Sequence, residues 1–300
     1  FLVVRRYCQL RLSANEDQTQ KHPSLSPSLS LCLPYSVKCG TLEIVNTMAP
    51  NSASNTPSHS ASHSAYSAAT AALTPRERLQ TAHLYLCMDA RRHLDNGRPR
   101  FTALRELAEQ ACEGGCDIIQ LRDKNSPGER ELGTMTVLEQ LEALRILGEV
   151  VHSYGALLAV NDRMDVAVAA GADVAHVGQD DIPTAVARQI LGDDVVLGLS
   201  CHSPADVDGA LTNPAIDYFC TGPIWATPTK PGRPAVGLDL VQYAAQQHPK
   251  KPWFAIGGVN TKTAPDVVAA GAQRIVVVRA ITDASDPADA ARILRSSTER

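Results

Sequence analysis

The segment ALLAVNDRMDVAVAAGADVAHVGQDD, residues 156–181, decides the fold. It contains two short apolar runs, 156–160 and 174–177, whose length and composition predict buried β-strands. A polar cluster follows each run at once, whereas the turn before the second run is a plain Gly-Ala-Asp. This asymmetry predicts parallel strands whose functional residues gather at the carboxyl ends.

The same rhythm extends in both directions, from about residue 75 to the end of the chain. Apolar runs predict eight strands, at 84–88, 117–121, 156–160, 174–177, 195–199, 218–221, 253–256 and 274–278. Helical stretches between them include 101–114, 137–153, 183–191, 238–247, 263–270 and 287–296. Because eight alternating units suffice to close a parallel sheet, the sequence predicts an α/β fold, a single (β/α)8 TIM barrel. An open doubly wound sheet stays as the alternative.

The composition limits the class of partner. The chain has 300 residues, a formal charge of -4 at pH 7 and 4% aromatic residues. The lack of a basic field argues against nucleic acid or an anionic membrane as a partner. No apolar run is long enough to span a bilayer, so we expect a cytoplasmic protein that binds a small molecule, and a homo-oligomer stays open.

The first 74 residues differ in amino-acid composition from the rest of the chain. Residues 49–74 contain no Lys, Arg, Asp or Glu and are rich in Ser and Ala, a composition that predicts disorder. We expect residues 1–74 to be a dispensable disordered extension, Met48 to be the natural start, and the barrel domain to span 75–300. Residues 1–47 lack the apolar core of a secretory signal, and a transit peptide stays open.

The eight cysteines show no paired Cys-x-x-Cys pattern, which predicts thiols rather than a disulfide framework. We expect Cys112 and Cys116 to pack as small buried residues, because no further metal ligands lie near them in the sequence.

Cations follow the second predicted strand. Alternation along the extended chain puts Gln120, Arg122 and Lys124 on one side, with no acidic residue on that side of the run. This arrangement predicts an anion site at the barrel mouth, with a salt-bridged strand end as the alternative.

Carboxylates follow the third and fourth predicted strands. Asp162 comes after the third, and Asp180 and Asp181 come after the fourth. Mg²⁺ prefers a few hard oxygen ligands and takes substrate phosphates for the rest, so one Asp from each strand predicts a magnesium site. One of the latter two carboxylates could instead cap the helix near Pro183, and the two interpretations are evenly balanced.

Hydroxyl groups follow the fifth and sixth predicted strands. Ser200 is a candidate donor to a phosphate or a ring nitrogen, and Ser203 before Pro204 predicts a helix cap. Covalent catalysis by Ser200 with its neighbours Cys201 and His202 is disfavoured, because adjacent residues point opposite ways and no third orienting group is evident.

The loop over residues 221–232 is the most specific segment in the chain. Thr227, Thr229 and Lys230 can offer hydroxyls and an ammonium to phosphate oxygens. The last two strands lead into turns that contain Gly258 and the Val278-Arg279 pair, which is where barrels usually bind a phosphate.

Taken in order, the motifs QLRDK, NDR, HVGQDD, GLSCH, GPIWATPTK and IGGV resemble those of the thiamine phosphate synthase family over about residues 84–293. The resemblance implies a pyrophosphate-releasing transferase that couples 4-amino-2-methyl-5-(diphosphooxymethyl)pyrimidine to 4-methyl-5-(2-phosphoethyl)thiazole or its carboxylated form. It implies Mg²⁺ as cofactor, bound by Asp162 and Asp181. Arg122, Lys124, Ser200 and Lys230 are implied as catalytic.

The resemblance also implies two substrate subsites. The pyrimidine diphosphate would be bound by Gln120, Arg122, Lys124, Asn161, Ser200 and Lys230. The thiazole phosphate would be bound by Thr227, Thr229, Gly258, Val278 and Arg279. Two features depart from the family pattern: Arg279 stands where a serine is common, and the long segment 126–144 is expected to form a lid.

Two other functions compete with this one. A thiazole tautomerase-like relative shares the barrel but lacks the paired aspartates and the Thr-x-Thr-Lys loop, which this chain has. A catalytically idle regulator that binds a thiamine precursor would not need cations to stabilise a leaving diphosphate. Both are therefore weaker interpretations of the motif set.

Overall fold

The computed structural model describes residues 73–93, 95–227, 232 and 234–299. Its parallel strands close into one barrel in chain order, and the last strand pairs with the first. The strands are β1 Leu84–Met88, β2 Ile118–Leu121, β3 Leu157–Asn161, β4 Val174–Val177, β5 Val196–Cys201, β6 Tyr218–Thr221, β7 Trp253–Ile256 and β8 Ile275–Val277. The predicted (β/α)8 barrel is confirmed, and the open sheet is excluded. The expected extension and the start at Met48 fall on residues 1–72, outside the described residues, and stay predictions.

Helices connect the strands, and further helices precede the first strand and follow the last one. They are α1 Pro75–Thr81, α2 Thr102–Glu113, α3 Pro127–Leu132, α4 Val137–Ser153, α5 Met164–Ala170, α6 Thr184–Leu191, α7 Pro204–Thr212, α8 Asp239–Gln246, α9 Ala264–Ala269, α10 Arg279–Thr282 and α11 Pro287–Thr298. The predicted bounds of α4 are confirmed, and Ser203 caps α7 as expected, by accepting from the Asp206 backbone N–H. None of the described helices is long and apolar enough to cross a membrane.

The segment 126–144, expected to form a lid, contains α3 and the first two turns of α4. Ser126 accepts a hydrogen bond from the Glu129 backbone and caps α3, while Thr136 and Glu139 form a reciprocal capping box on α4. The length of this segment therefore reflects an extra helix, and closure over the site stays a prediction.

The strands are buried on both faces, which explains their nearly continuous apolar sequences. Residues such as Tyr85, Tyr218 and Phe254 form the core inside the barrel, and Leu79 of α1 packs into the same cluster. Neighbours in the strands, such as Leu84 and Leu86, face the surrounding helices instead. Alternation along each strand thus divides the core into an inner and an outer layer.

A carboxylate precedes the second, fourth and sixth strands at the amino-terminal rim of the barrel. One Oδ of each of Asp117, Asp173 and Asp217 accepts backbone N–H groups from the preceding strand of its pair. The donors are His83 and Leu84 at 2.8 and 2.9 Å, Leu158 at 2.8 Å and Leu197 at 2.8 Å, respectively. Arginines pair with the same carboxylates: Arg295 with the first, Arg78 with the second, and Arg76 and Arg188 with the third. These contacts stabilise the amino-terminal rim, which lies at the end of the barrel opposite the polar clusters that follow the strands.

Candidate active site

A cavity of about 340 Å³ opens at the carboxyl ends of the strands. It brings together most of the residues that the sequence predicted for the site. Those that line it are Gln120, Arg122, Asn161, Ser200, Thr227, Gly258, Val278 and Arg279. The parallel strands explain this, since their carboxyl ends meet at one rim. Thr229 and Lys230 lie outside the described residues.

A smaller cavity of about 150 Å³ adjoins the first and shares Arg122 and Arg279 with it. Its lining contains five cationic side chains, Arg92, Arg122, Lys124, Arg130 and Arg279, and one carboxylate, Asp89. Asp89 pairs with Arg92 at 2.9 Å, and burial raises the pKa of that carboxyl group. The excess of cations supports the anion site predicted from the sequence.

Lys124 differs from the prediction in its immediate partner. Its Nζ lies 2.7 Å from an Oδ of Asp162. Lys124, which follows β2, therefore forms an ion pair with the predicted metal ligand that follows β3. Asp162 has a left-handed backbone conformation, with φ of 59°. Asp and Asn tolerate that conformation better than most residues, which makes this strand end suited to a carboxylate turned toward the rim.

Asp181 lies in the turn after β4 and does not line either cavity. Its Oδ2 accepts a hydrogen bond of 2.7 Å from the Gly178 backbone N–H. The alternative role of Asp180 or Asp181 as a helix N-cap is wrong, because α6 is capped by Pro183 without a side-chain hydrogen bond. Asp181 instead closes the turn that precedes that helix.

The carboxylates suit magnesium better than a metal held entirely by the protein. No group of three His, Cys, Asp or Glu side chains that could hold a metal occurs within the part of the chain that the structure describes. Mg²⁺ commonly takes one or two carboxylates and completes its shell with water and substrate phosphates. Asp162 and Asp181, the two carboxylates that the sequence predicts as magnesium ligands, follow the paired strands β3 and β4.

A chain of hydrogen bonds runs across the floor of the larger cavity. Its links are Cys87 Sγ to Gln120 Oε1 at 3.1 Å, Gln120 Nε2 to Tyr85 Oη at 2.9 Å, Tyr85 Oη to Tyr218 Oη at 3.4 Å, Tyr218 Oη to His176 Nδ1 at 3.0 Å and His176 Nε2 to Ser200 Oγ at 2.9 Å. Burial raises the pKa of both tyrosines well above the usual range, so they remain protonated phenols. This polar chain joins β1, β2, β4, β5 and β6.

Gly198 makes room for the centre of this polar chain. A Cβ on Gly198 would lie 2.1 Å from Cζ of Tyr218 and 2.5 Å from its hydroxyl. Any larger residue at position 198 would therefore displace the Tyr218 hydroxyl from its position between Tyr85 and His176. The glycine, which looks like a weak point in a strand, is required by the ring across from it.

Ser200 and Cys201 point to opposite sides of β5, as expected for neighbours in a strand. Cys201 is fully buried and lies 3.4 Å from the Asp206 carbonyl oxygen, away from the cavity. His202 is engaged by its Nδ1 with the Gly222 carbonyl. The histidine that contacts Ser200 is therefore His176 from the neighbouring strand, and its other nitrogen faces a tyrosine instead of a carboxylate.

The two glycines after β7 allow the backbone to approach the loop after β6. A Cβ on Gly257 would lie 2.5 Å from Cα of Pro223, and a Cβ on Gly258 would lie 2.9 Å from Cβ of Trp225. Both glycines also have positive φ, of 104° and 77°. The missing side chains therefore let the turn after β7 pack against the loop after β6, at the wall of the cavity that both glycines line.

Sequence reasoning missed Tyr85, Cys87, His176 and Tyr218 as parts of the site. A signal was available, because each is a polar or polarisable residue at an inward position of an otherwise apolar strand. Their partners come from other strands, so the sequence alone could not pair them.

A family model described as thiamine monophosphate synthase matches residues 84–281. The thiamine-phosphate synthase of Mycolicibacterium smegmatis is 54% identical over 223 residues, covering 74% of this chain and 95% of that protein. The thiamine-phosphate synthase of Mycobacterium bovis is 56% identical over 221 residues, covering 73% of this chain and 96% of that protein. Among solved structures, a thiamine phosphate pyrophosphorylase from Pyrococcus furiosus is similar with a TM-score of 0.61 and 28% identity, covering 75% of this chain and 97% of that one.

Proposed function

The chain belongs to the thiamine monophosphate synthase family, and on that premise we propose that it couples an aminopyrimidine-methyl diphosphate to a thiazole phosphate. It is an enzyme, a transferase of thiamine biosynthesis. The proposed substrates are 4-amino-2-methyl-5-(diphosphooxymethyl)pyrimidine and 4-methyl-5-(2-phosphoethyl)thiazole or its carboxylated form. The observation that carries the proposal is the convergence of the family motifs of this chain on one cavity.

The proposed reaction needs no protein nucleophile. The C–O bond between the pyrimidine methylene and the diphosphate breaks, and its electron pair leaves with the diphosphate. The amino-substituted ring stabilises the resulting cation, and the thiazole nitrogen donates the pair that forms the new C–N bond. With the carboxylated thiazole, the carboxylate must also leave as CO2, and the electron pair of the broken C–C bond takes up a proton. The enzyme must then stabilise departing charge, align the thiazole and exclude the water that would trap the cation.

The chain's own residues suit these tasks. Arg122 and Lys124 are cations that line the smaller cavity, and they would offset the charge of the diphosphate. Gln120 and Ser200, both largely buried, offer hydrogen bonds to the pyrimidine at the floor of the cavity. The Gly258 turn and Arg279, which lines both cavities, would bind the thiazole phosphate.

Magnesium fits the donor set of this site. Asp162 and Asp181 would hold the ion, and Asn161 would bind the substrate beside it. When bound, Mg²⁺ supplies charge neutralisation to the leaving diphosphate. Lys124, which pairs with Asp162, would then turn its ammonium toward the diphosphate as well.

The assay that tests the proposal uses the full chain with both phosphorylated substrates and Mg²⁺. We expect equimolar thiamine phosphate and pyrophosphate, measured by chromatography and by a coupled pyrophosphate assay. Chelation by EDTA should abolish turnover, and added Mg²⁺ should restore it. Absence of thiamine phosphate from folded protein under these conditions would refute the proposed reaction.

Asp162→Asn provides the matched variant. Asparagine keeps the size of the side chain and tolerates the left-handed backbone, so the change removes mainly the charge. We expect kcat to fall by about 100-fold or more, because a metal ligand is lost. Asp165→Asn is the control, since Asp165 is exposed and pairs with Arg163. Near-normal turnover of folded Asp162→Asn would remove Asp162 from the metal site.

A further inference from the structure

We propose that Tyr85 and Tyr218 are positioning residues that give the buried polar chain one direction, so that His176 is held as its Nε2–H tautomer and Ser200 faces the substrate as a hydrogen-bond donor. The direction of the chain rests on the orientation of the Gln120 amide and on the hydrogen-bond distances, independently of the proposed function. The identity of the acceptor, an unprotonated atom of the aminopyrimidine diphosphate, rests on the proposed function.

The Gln120 side-chain amide, which is 2% exposed, sets the order of donors and acceptors along the hydrogen-bonded chain. A thiol can donate to the carbonyl oxygen, and Cys87 Sγ lies 3.1 Å from Oε1. That contact places the amide nitrogen at the other end, where Nε2 donates to Tyr85 Oη at 2.9 Å. Only the amide nitrogen carries protons, so Tyr85 must accept at this link.

The two phenols continue the same order of donors and acceptors. A hydroxyl group has one proton, and Tyr85 accepts from Gln120, so its own proton is available for Tyr218 at 3.4 Å. Tyr218 in turn donates to His176 Nδ1 at 3.0 Å. The raised pKa values of both buried phenols keep these protons in place at neutral pH.

The chain ends at the cavity. With Nδ1 accepting from Tyr218, the neutral imidazole of His176 carries its proton on Nε2 and donates it to Ser200 Oγ at 2.9 Å. Ser200 accepts at this link, and its own proton is available to the cavity that it lines. The ligand atom that it meets must therefore be an acceptor, either a neutral ring nitrogen or a phosphate oxygen.

Packing fixes the phenols in place. The Tyr218 ring lies edge-on to Phe254 with centroids 5.7 Å apart, and Tyr85 makes a similar contact with the same ring at 5.7 Å. The absence of a side chain at Gly198 leaves the space that Tyr218 fills. A substitution that keeps the ring and removes only the hydroxyl should therefore preserve the fold.

The first test reads the tautomer directly. In ¹⁵N-labelled full-length protein without substrate, the two ring nitrogens of His176 are assigned by long-range ¹H–¹⁵N correlation, with His176→Gln to identify the signals. We expect the wild-type ring to be protonated at Nε2, and Tyr218→Phe to lose that bias. A wild-type ring protonated at Nδ1, or an unchanged tautomer in Tyr218→Phe, would overturn the proposal.

The second test asks whether the direction matters for binding. We expect Tyr218→Phe to raise KM for the pyrimidine diphosphate about tenfold, the scale of one misdirected buried hydrogen bond, and to leave KM for the thiazole phosphate within about twofold. Tyr243→Phe is the control, because its hydroxyl bonds Asp208 outside the site. Tyr85→Phe should match Tyr218→Phe. An equal rise in both KM values would indicate a merely structural role and would overturn the proposal.

Two ligand probes identify the acceptor. Titration with inorganic pyrophosphate tests the phosphate oxygen, and titration with the unphosphorylated aminopyrimidine alcohol tests the ring nitrogen. The probe whose affinity falls in Tyr218→Phe carries the acceptor atom, and a loss with neither probe would contradict the donor role of Ser200. A wild-type protein with the expected tautomer but no synthase activity would refute the proposed function and leave the direction of the chain standing.

Discussion

Arg279 lies where the two cavities meet, as the first residue of α10. Its side chain adds a guanidinium to a turn that in the family commonly presents a serine. Because a guanidinium can offer two parallel N–H donors to a phosphate, we propose that it strengthens thiazole phosphate binding. The backbone of the Val278-Arg279 turn would then act together with the side chain.

Arg279→Ser tests this role. We expect KM for the thiazole phosphate to rise about 3- to 10-fold, the scale of one ordinary hydrogen bond lost from an exposed side chain, while KM for the pyrimidine diphosphate and kcat change little. Steady-state kinetics with each substrate varied in turn would measure the difference. Arg292→Ser is the control, since Arg292 is exposed in α11 and pairs with Asp289. An unchanged KM would mean that the side chain does not contact the thiazole phosphate.

The sequence predicted several polar residues at or just after the carboxyl ends of strands, but not the inward-facing residues Tyr85, Cys87, His176 and Tyr218. Gln120, Arg122 and Asn161 could be found because polar residues at the carboxyl end of a buried strand are conspicuous. His176 and Tyr218 could not be paired, because their 3.0 Å contact depends on the register between strands 42 positions apart in the chain. Asp181 was placed in the right turn, but its hydrogen bond to Gly178 depends on a local backbone conformation that spacing does not specify.

At the scale of elements, α1 closes the amino-terminal end of the barrel. Leu79 is 1% exposed and packs against the inner core, while Arg76 and Arg78 bind the rim carboxylates Asp217 and Asp173. The sequence did not predict this helix, although Thr74 and Glu77 form the capping box that marks its start. Seven residues give too short a periodic pattern to stand out, so its packing decides its structure.

Leu79→Ala measures how much α1 stabilises the barrel. The change leaves a cavity in the inner core, and we expect it to lower the free energy of unfolding by about 2 to 5 kcal/mol. Urea denaturation followed by far-UV circular dichroism would measure the loss. Gln80→Ala in the same helix is the control, because Gln80 is exposed and only its backbone oxygen bonds Arg274. Equal free energies of unfolding for the two variants would show that packing of α1 does not stabilise the barrel.

At the scale of the whole molecule, the five cysteines within the described residues are thiols, as the sequence predicted, and all five are buried, as it predicted for Cys112 and Cys116. Burial raises the pKa of Cys112 and of Cys201 to about 12, and raises that of Cys116 well above its usual range. Because the thiolate is the reactive form, these groups should be inert while the barrel is folded.

Alkylation of these thiols should therefore report unfolding of the entire barrel. We expect iodoacetamide at pH 8 to leave Cys112, Cys116 and Cys201 unmodified in the native full chain and to modify all three in guanidinium chloride. Peptide mass mapping distinguishes these sites from cysteines elsewhere in the chain. Rapid modification of Cys201 without denaturant would show that the contact between β5 and α7 opens locally.

The carboxylates of the amino-terminal rim follow a pattern that stops before the last pair of strands. Asp117, Asp173 and Asp217 tie the first three pairs, but the turn before β8, over residues 271–274, has no acidic residue. The pairing of β7 with β8 also has only two registered residue pairs, against four between β5 and β6. This seam should be where amide protons of the strands exchange fastest with solvent. Because Gly258 and Arg279 follow these two strands, a bound thiazole phosphate would span the seam and slow that exchange. Amide hydrogen exchange in β7 and β8 would then report whether the site is occupied.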